Sequence, residues 1–263
     1  MQTITGLERM AAAHWRGTEE QWLGEWLLRA AEGFTGRANS ALPLGDPGMP
    51  LDEAVTAVTE WYRARGLPPM IAVPTRGEAD PGGQYDRGQH DHGQDLDNHL
   101  SERQWLTRAA PALVMLAGLP LGAPAARLPP GRAVTATPVP DDAWAARYHY
   151  RGQDHLPPVA RKVLTSAEEQ SFLSIRDGGE VLAIARLSVA DGWAGITAVE
   201  VSPDHRRQGL GAAITAAACL EAERRGPANV FLQVEVSNAP ARALYERLGF
   251  RYSHRYHYRV APG

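Results

Sequence analysis

"SPDHRRQGLGAAI", residues 202–214, sets two arginines and a glutamine ahead of a Gly-x-Gly and a run of alanines. Strand-like sequence precedes it and helix-forming alanines follow, so the stretch predicts a strand–turn–helix corner. At such a corner the N–H groups of the first helical turn, from Gln208 through Leu210 to Ala212, have no carbonyl within the helix to bond. They also sit at the positive end of the helix dipole, which attracts an anion. Gly209 and Gly211 carry no Cβ to hold an anion off the backbone, and Arg206 and Arg207 add charge-assisted contacts. The G-K-[ST] ending of an ATP-type phosphate loop is missing. Alone, the stretch is open between a cradle for another anionic ligand and a plain glycine turn with solvated arginines.

The flanking sequence extends the pattern on both sides. Upstream come "AVTATPVP" (133–140) as a strand, helical material from Asp141, "SFLSIRD" (171–177) as a strand, a Gly-Gly turn, and "EVLAIARLSVA" (180–190) with apolar/polar alternation. "WAGITAVEVS" (193–202) then leads into the corner. Downstream, Leu210, Ala213, Ile214, Ala217 and Leu220 recur at helical spacing, and basic residues followed by Gly226 and Pro227 end that helix. "VFLQVEVS" (230–237), "PARALYERLGF" (240–250) and "SHRYHYRV" (253–260) predict strand, helix and strand.

Two of these segments carry a family pattern. "VEVSPDHRRQGLGAA" (199–213) resembles the acyl-CoA motif of the GNAT N-acetyltransferase superfamily, [QR]-x-x-G-x-[GA] after the fourth strand. "LQVEVSNAPARALYERLGF" (232–250) resembles that superfamily's fifth strand and fourth helix, with N-x-x-A-x-x-L-Y-x-x-x-G-F filled at Asn238, Ala241, Leu244, Tyr245, Gly249 and Phe250. The resemblance covers about residues 133–263. It implies an α/β fold with a mixed sheet whose fourth and fifth strands splay apart around acetyl-CoA, a co-substrate that needs no metal.

On that resemblance the pantetheine arm lies along Val199, Glu200 and Val201, with the Val201 N–H polarising the thioester carbonyl. The pyrophosphate rests on the N–H groups from Arg207 to Ala212, Arg206 lies beside it, and Asn238 contacts the arm or caps its helix. The implied chemistry is direct attack of a neutral amine on the thioester. Tyr245 is the expected general acid, since a phenol with pKa near 10 suits a leaving thiolate of similar basicity. The base is less defined. Related enzymes that acetylate ribosomal-protein N-termini have a glutamate five residues before the asparagine, and here that position is Gln233, which cannot take a proton. Glu200, Glu235 or water can substitute, or no dedicated base is needed. Glu200 ranks first because strand alternation separates it from the Val199 and Val201 face.

The first half repeats the order more loosely. "WLLRAAEGFTGRANSALPLG" (26–45) reads as strand material and "LDEAVTAVTEWYRARG" (51–66) as a helix with Leu51, Ala54, Val55, Val58, Trp61 and Tyr62 on one face. "PMIAVP" (69–74) is a strand, "LDNHLSERQW" (96–105) a short helix and "PALVMLAGL" (111–119) a strand. "LGAPAARLPPGRA" (121–133) is the linker, so the expected domains are 1–126 and 127–263. Where a phosphate loop would fall, "LPLGDPGMPLDE" (42–53) has no arginine, prolines that lack N–H donors, and acids at Asp46, Asp52 and Glu53. The expectation is a tandem of GNAT-like domains, the N-terminal one degenerate, in a layout similar to mycothiol synthase. Arg37 and Asn39 are candidates to face the acceptor.

Composition narrows the partners. A 44% hydrophobic share and a net charge of −3 describe an ordinary globular chain and argue against a nucleic-acid binder. The single cysteine, Cys219, excludes an intramolecular disulfide framework, and reads as a small apolar residue on a helix. "MQTITGLERM" has neither a basic nor an apolar leader region, and prolines interrupt the uncharged run at 109–126, so the expectation is a cytoplasmic chain without a membrane span. His90, His92 and His99 in "QYDRGQHDHGQDLDNHL" (84–100) read as part of a solvated loop, with no metal expected. The acceptor is expected to be an amine of a small molecule or peptide; oligomeric state is not legible. The rival to an enzyme is a non-catalytic acyl-CoA sensor, which Tyr245 argues against and Gln233 keeps alive.

Overall fold

Trp26–Ala30 is buried at every position, and its neighbours set out the first half of the chain. The structure is a computed structural model and describes residues 3–76, 92–122, 128, 131–149 and 156–263. Two units emerge: Met1–Val114 with Glu235–Ser237 and Tyr252–Gly263, and Met115–Val234 with Asn238–Arg251.

The first unit begins with helix α1 (Ile4–His14), whose Thr3 hydroxyl caps it by accepting from the Gly6 N–H. Strands β1 (Glu19–Leu23), β2 (Trp26–Ala30) and β3 (Leu42–Pro43) follow as an antiparallel sheet. Helix α2 (Leu51–Arg63) precedes β4 (Met70–Thr75), and α3 (His92–Glu102) precedes β5 (Leu106–Thr107) and β6 (Ala112–Gly118). Of the expected face of α2, Ala54, Val55, Val58, Trp61 and Tyr62 are buried against Trp26, Leu28, Ile71 and Leu100, and Leu51 is half-buried beside them. Ala41 bridges Ile71 in parallel, with N–H···O bonds from Ala41 to Met70 (2.9 Å) and from Ala72 to Ala41 (2.8 Å).

The second unit runs β7 (Arg132–Thr137), α4 (Asp142–Arg147), α5 (Pro158–Leu164), β8 (Glu169–Asp177), β9 (Glu180–Ala190), β10 (Trp193–Val201), α6 (Leu210–Arg225), β11 (Asn229–Glu235) and α7 (Ala239–Arg247). β7 to β10 pair antiparallel in sequence order, and β11 joins β10 in parallel. Helix α6 buries Leu210, Ala213, Ile214, Ala218 and Cys219. Leu220, expected on that face, is 46% exposed. The alanines let α6 bury most of its circumference, so its period is a poor guide to which residue faces water. Burial pushes the Cys219 thiol up to about 12, consistent with an inert core residue.

The order β1-β2-β3-α2-β4-α3 of the first unit is repeated by β8-β9-β10-α6-β11-α7 of the second, and the parallel bridge at Ala41 falls where β10 meets β11. The duplication read from the sequence is therefore carried by the topology. Two differences stand against the expected strand and domain bounds. The final strand, β12 (Arg251–Val260), belongs from Tyr252 onward to the first unit, where it pairs antiparallel with β4 from Arg255↔Thr75 to Val260↔Met70. The Met115–Gly118 part of β6 belongs to the second. Loop-closure entropy grows slowly with length, so hydrogen bonding decides a strand's neighbour and chain order does not.

Residues 31–40, expected as strand, form turns, with positive φ at Glu32, Gly33 and Thr35. Asn39 is the reason. Its Oδ1 accepts from Ala31 N (2.8 Å) and Gly33 N (2.9 Å), and its Nδ2 donates to Phe34 O (2.7 Å) and Thr35 O (2.9 Å). Asn39 is buried, so this brace replaces the acceptor-facing role expected of it, while the Arg37 guanidinium lies 4.6 Å from the Trp15 ring centroid.

Where β3 has ended, the buried Tyr62 hydroxyl takes over for a strand, donating to Arg29 O (2.9 Å) and accepting from Arg29 N (3.3 Å). Tyr62→Phe should cost about 1–3 kcal/mol of stability by leaving buried backbone groups unpaired. Urea unfolding checks this, and a midpoint unchanged from wild type refutes it.

Candidate active site

β10 and β11 are in parallel register from Trp193↔Asn229 to Ile196↔Leu232, and there the pairing ends. Against β9 the register of β10 shifts between Thr197 and Glu200, and Ala198 takes φ +53°. This is a β-bulge, which inserts a residue, bends the strand and interrupts its ladder. Upstream of it β10 is buried, whereas Ala198, Val199, Glu200 and Val201 are half-buried. The last residues of β10 thus have no partner in β11, and an extended chain-like ligand can take up their backbone groups.

The corner that follows is built as the sequence predicts. Ser202 N–H donates to Leu182 O (2.8 Å), a single turn of 3-10 helix spans Pro203–His205, and Arg207 has φ +59°. Gly209 at φ +81° is the N-cap of α6 and offers no side-chain cap. The first helical bond runs from Ala213 N to Gly209 O (3.0 Å), so the N–H groups of Leu210, Gly211 and Ala212 lack an intrahelical acceptor. A Cβ on Gly211 would stand 3.1 Å from Leu244 Cδ1 and 3.7 Å from Val201 Cγ2. β10, α6 and α7 converge at that glycine. Arg206, Arg207, Gln208 and Gly209 are exposed; Gln208 Oε1 accepts from Arg132 Nη2 (3.2 Å), and Arg206 Nε lies 3.5 Å from Val201 O.

Glu200 is held by a residue that sequence reading missed. Its Oε2 accepts from the His149 N–H (2.9 Å), and its Oε1 lies 2.9 Å from His149 Nδ1. His149 follows α4, which is pinned by Trp144: the Asp141 carboxylate accepts from Trp144 N (2.8 Å) and the buried indole donates to Leu173 O (3.0 Å). A lone histidine after a short helix has no spacing to a strand glutamate 51 residues later, so no local pattern in the sequence joins them.

On α7, Tyr245 is buried against Phe250, ring centroids 5.9 Å apart. Burial pushes its phenol up to about 12, and among the described residues its hydroxyl makes no hydrogen bond. Tyr245 is therefore protonated throughout the neutral range. Asn238 caps α7, its Oδ1 accepting from Ala241 N (3.2 Å), and is exposed. Gln233 is half-buried on β11 and Glu235 exposed at its end.

The corresponding corner of the first unit is built differently. α2 starts at Pro50 with no side-chain cap and carries Asp52 and Glu53 in its first turn. The Glu25 carboxylate accepts from Asp46 N (2.9 Å), and a Cβ on Gly45 would stand 2.0 Å from Glu25 Oε2. Acidic oxygen occupies the space before that helix.

Of the histidine-rich stretch, residues 84–91 lie outside the described residues, and the rest enters α3, where His99 Nε2 is 3.2 Å from Asp52 Oδ1. Among the described residues no three metal-ligating side chains converge, and no helix is long and apolar enough to cross a membrane.

A mixed sheet that opens after its fourth strand onto an uncapped helix N-terminus defines the class: a GNAT-fold N-acetyltransferase. The chain belongs to the family described as "Probable histone acetyltransferase Rv0428c C-terminal", whose model matches residues 2–259. It is 30% identical over 266 residues to the probable histone acetyltransferase Rv0428c of Mycobacterium tuberculosis, covering 98% of this chain and 74% of that protein. A GCN5-related N-acetyltransferase from Kribbella flavida shares the fold with a TM-score of 0.69 at 20% identity, over 100% of this chain and 97% of that one. A tandem GNAT protein from the clavulanic acid biosynthesis pathway does so at 0.64 and 14% identity, over 85% and 76%.

The raised Tyr245 pKa is open to direct titration. Neutral phenol is the form the fold favours, so the stability tied to it is full below the unfolded value near 10 and is lost as pH rises towards 12. The phenolate absorbance of wild type minus that of Tyr245→Phe should develop with a midpoint near 12. A midpoint at the free value of about 10 shows an exposed hydroxyl instead.

Proposed function

We propose that the protein uses acetyl-CoA to acetylate a primary amine of a small molecule or peptide, by direct transfer within the second unit. The observation that carries this is the end of β10–β11 pairing at Ile196/Leu232, directly ahead of the open N-terminus of α6. The residues present fit the co-substrate. Val199, Glu200 and Val201 offer the backbone that would pair with the pantetheine amides, and the N–H groups from Arg207 through Gln208, Gly209, Leu210 and Gly211 to Ala212 would hold the pyrophosphate, with Arg206 alongside. Asn238, exposed beside the start of α7, keeps its side-chain NH₂ available to the arm.

In the reaction the amine nitrogen attacks the thioester carbon, and the Val201 N–H stabilises the oxygen that takes up negative charge. Tyr245 gives its proton to the leaving sulfur. Glu200 supplies the negative charge that draws the amine proton away. Gln233 cannot take that proton, and Glu200 on β10 is assigned the role ahead of Glu235, which lies exposed at the end of β11. The first unit is the degenerate GNAT-like domain of a tandem and the second unit the catalytic one: the Glu25 carboxylate and the acids of α2 repel a pyrophosphate from the first unit. Acceptor recognition and a cytoplasmic setting belong to the same proposal.

Calorimetry with acetyl-CoA should give one site per chain, and Gly209→Glu should abolish binding, since it combines a Cβ at φ +81° with an acid at the helix N-terminus. Tyr245→Phe should leave that binding intact and lower kcat roughly 10²-fold or more, the ordinary size of general-acid catalysis. Two binding events per chain overturn the assignment of the first unit, and full activity in Tyr245→Phe overturns the acid.

A further inference from the structure

The Glu200 carboxylate is engaged on both oxygens, by the His149 N–H and by His149 Nδ1, each at 2.9 Å. A carboxylate so occupied is poorly placed to meet a substrate proton directly. The backbone N–H is a fixed donor, so Oε2 is an acceptor at all times. The ring contact at Oε1 has one arrangement that satisfies both partners while the imidazole is neutral: Nδ1 carries the proton and donates it to the carboxylate. The second ring nitrogen, Nε2, is then left with its lone pair, and among the described residues it makes no hydrogen bond. The His149 side chain is 35% exposed, so the ring is within reach of a ligand, whereas the Glu200 side chain is the more buried of the two at 23%.

From this geometry we infer that His149 Nε2 is the group that accepts the proton of the acceptor amine, and that Glu200 is a positioning residue that fixes the tautomer and balances the resulting imidazolium. The inference rests on the N-acetyltransferase reading above and reassigns one role within it. An ammonium proton passes to Nε2, leaving neutral amine and an imidazolium held against the Glu200 carboxylate. The amine lone pair forms the C–N bond, and the C–S bond breaks with its electron pair on sulfur. That thiolate takes the Tyr245 proton, and the second proton lost by the acetylated nitrogen restores Tyr245. Imidazolium returns its proton to solvent, so one turnover converts an ammonium and a thioester into an amide, a thiol and one released proton.

The pair also accounts for the departure at Gln233. Gln233 offers no carboxylate, whereas the Glu200 carboxylate on β10, clamped by His149, acts through the ring. His149 follows a helix anchored by Trp144 and Asp141, so the imidazole is set by the fold of the second unit.

The test compares wild type, His149→Ala, Glu200→Gln and the double variant. The probes are acetyl-CoA and two kinds of acceptor, peptide α-amines with pKa about 8 and lysine side chains with pKa about 10.4. His149→Ala removes only the ring and keeps the backbone N–H on Glu200, so it should fold, bind acetyl-CoA as wild type does, and lose roughly 10²-fold in kcat/KM. The loss should be larger for the lysine amine, and added imidazole should restore part of the rate. Glu200→Gln should lose a comparable amount without rescue, and the double variant should be no worse than either single one, because the two residues act as a unit. If His149→Ala keeps its rate within about threefold while Glu200→Gln loses it, Glu200 is itself the acceptor and the inference is wrong, with the proposed function intact. An equal loss for both amines without imidazole rescue makes His149 purely structural and also overturns it. Wild type that binds acetyl-CoA but acetylates no amine overturns the proposed function, and the inference with it.

Discussion

Parallel pairing between β10 and β11 ends at Ile196 and Leu232, and the bulge at Ala198 prevents it from resuming. Every other feature of the site depends on that interruption. Were the ladder to continue, the backbone of Val199 and Val201 would be consumed by β11, and α6 would start above a closed sheet. Instead β10 keeps its bonds to β9 on one side, with Glu200 against Ile184 and Val201 against Ala183, so the strand stays rigid while its other edge opens. A positive φ at a non-glycine residue is costly, and Ala198 holds it because both flanking stretches of strand are already fixed.

The two units show what such a corner needs beyond topology. Both place a helix after the third strand of the repeated order and follow it with a strand in parallel contact. In the second unit the turn is glycine and arginine, and three N–H groups of α6 are left open. In the first, Glu25 reaches over Gly45 and α2 begins with a proline and two acids. The same architecture therefore presents open N–H groups and arginines at one corner and carboxylates at the other, and the difference lies in a handful of side chains with no change in strand order.

Which of this was legible in the sequence follows from how local each signal is. The corner at 202–214, the α6 start at Gly209–Leu210 and the helix carrying Tyr245 are set by glycines, caps and periodicity within a few residues, and the sequence predicts them where they stand. The α2 face is likewise a local 3.6-residue pattern, and its buried residues match. Residues 31–40 mislead because they run on from the apolar Trp26–Ala30 with no proline to end the strand, while Asn39 bonds backbone groups of Ala31, Gly33, Phe34 and Thr35 and folds them into turns. β12 joins β4 from the far end of the chain, and His149 meets Glu200 across α5, β8 and β9; neither contact leaves a spacing to read. Non-local pairing is where the sequence alone stops.

The proposed site also has a gradient of burial that suits its chemistry. At one end Arg206, Arg207, Gln208 and Gly209 are exposed, so the phosphates of the proposed co-substrate would keep much of their hydration there and the helix dipole would only have to add to it. At the other, Tyr245 is buried enough to move its phenol to about 12. That shift would make a poor acid for a leaving group in water. In the proposed reaction a thiolate released beside Tyr245 would meet the same desolvation, which would raise its own proton affinity in parallel. Acid and leaving group would thus stay matched, and proton transfer between them close to balance. The burial that raises the Tyr245 phenol therefore suits the role of acid proposed for it, since it keeps the hydroxyl protonated.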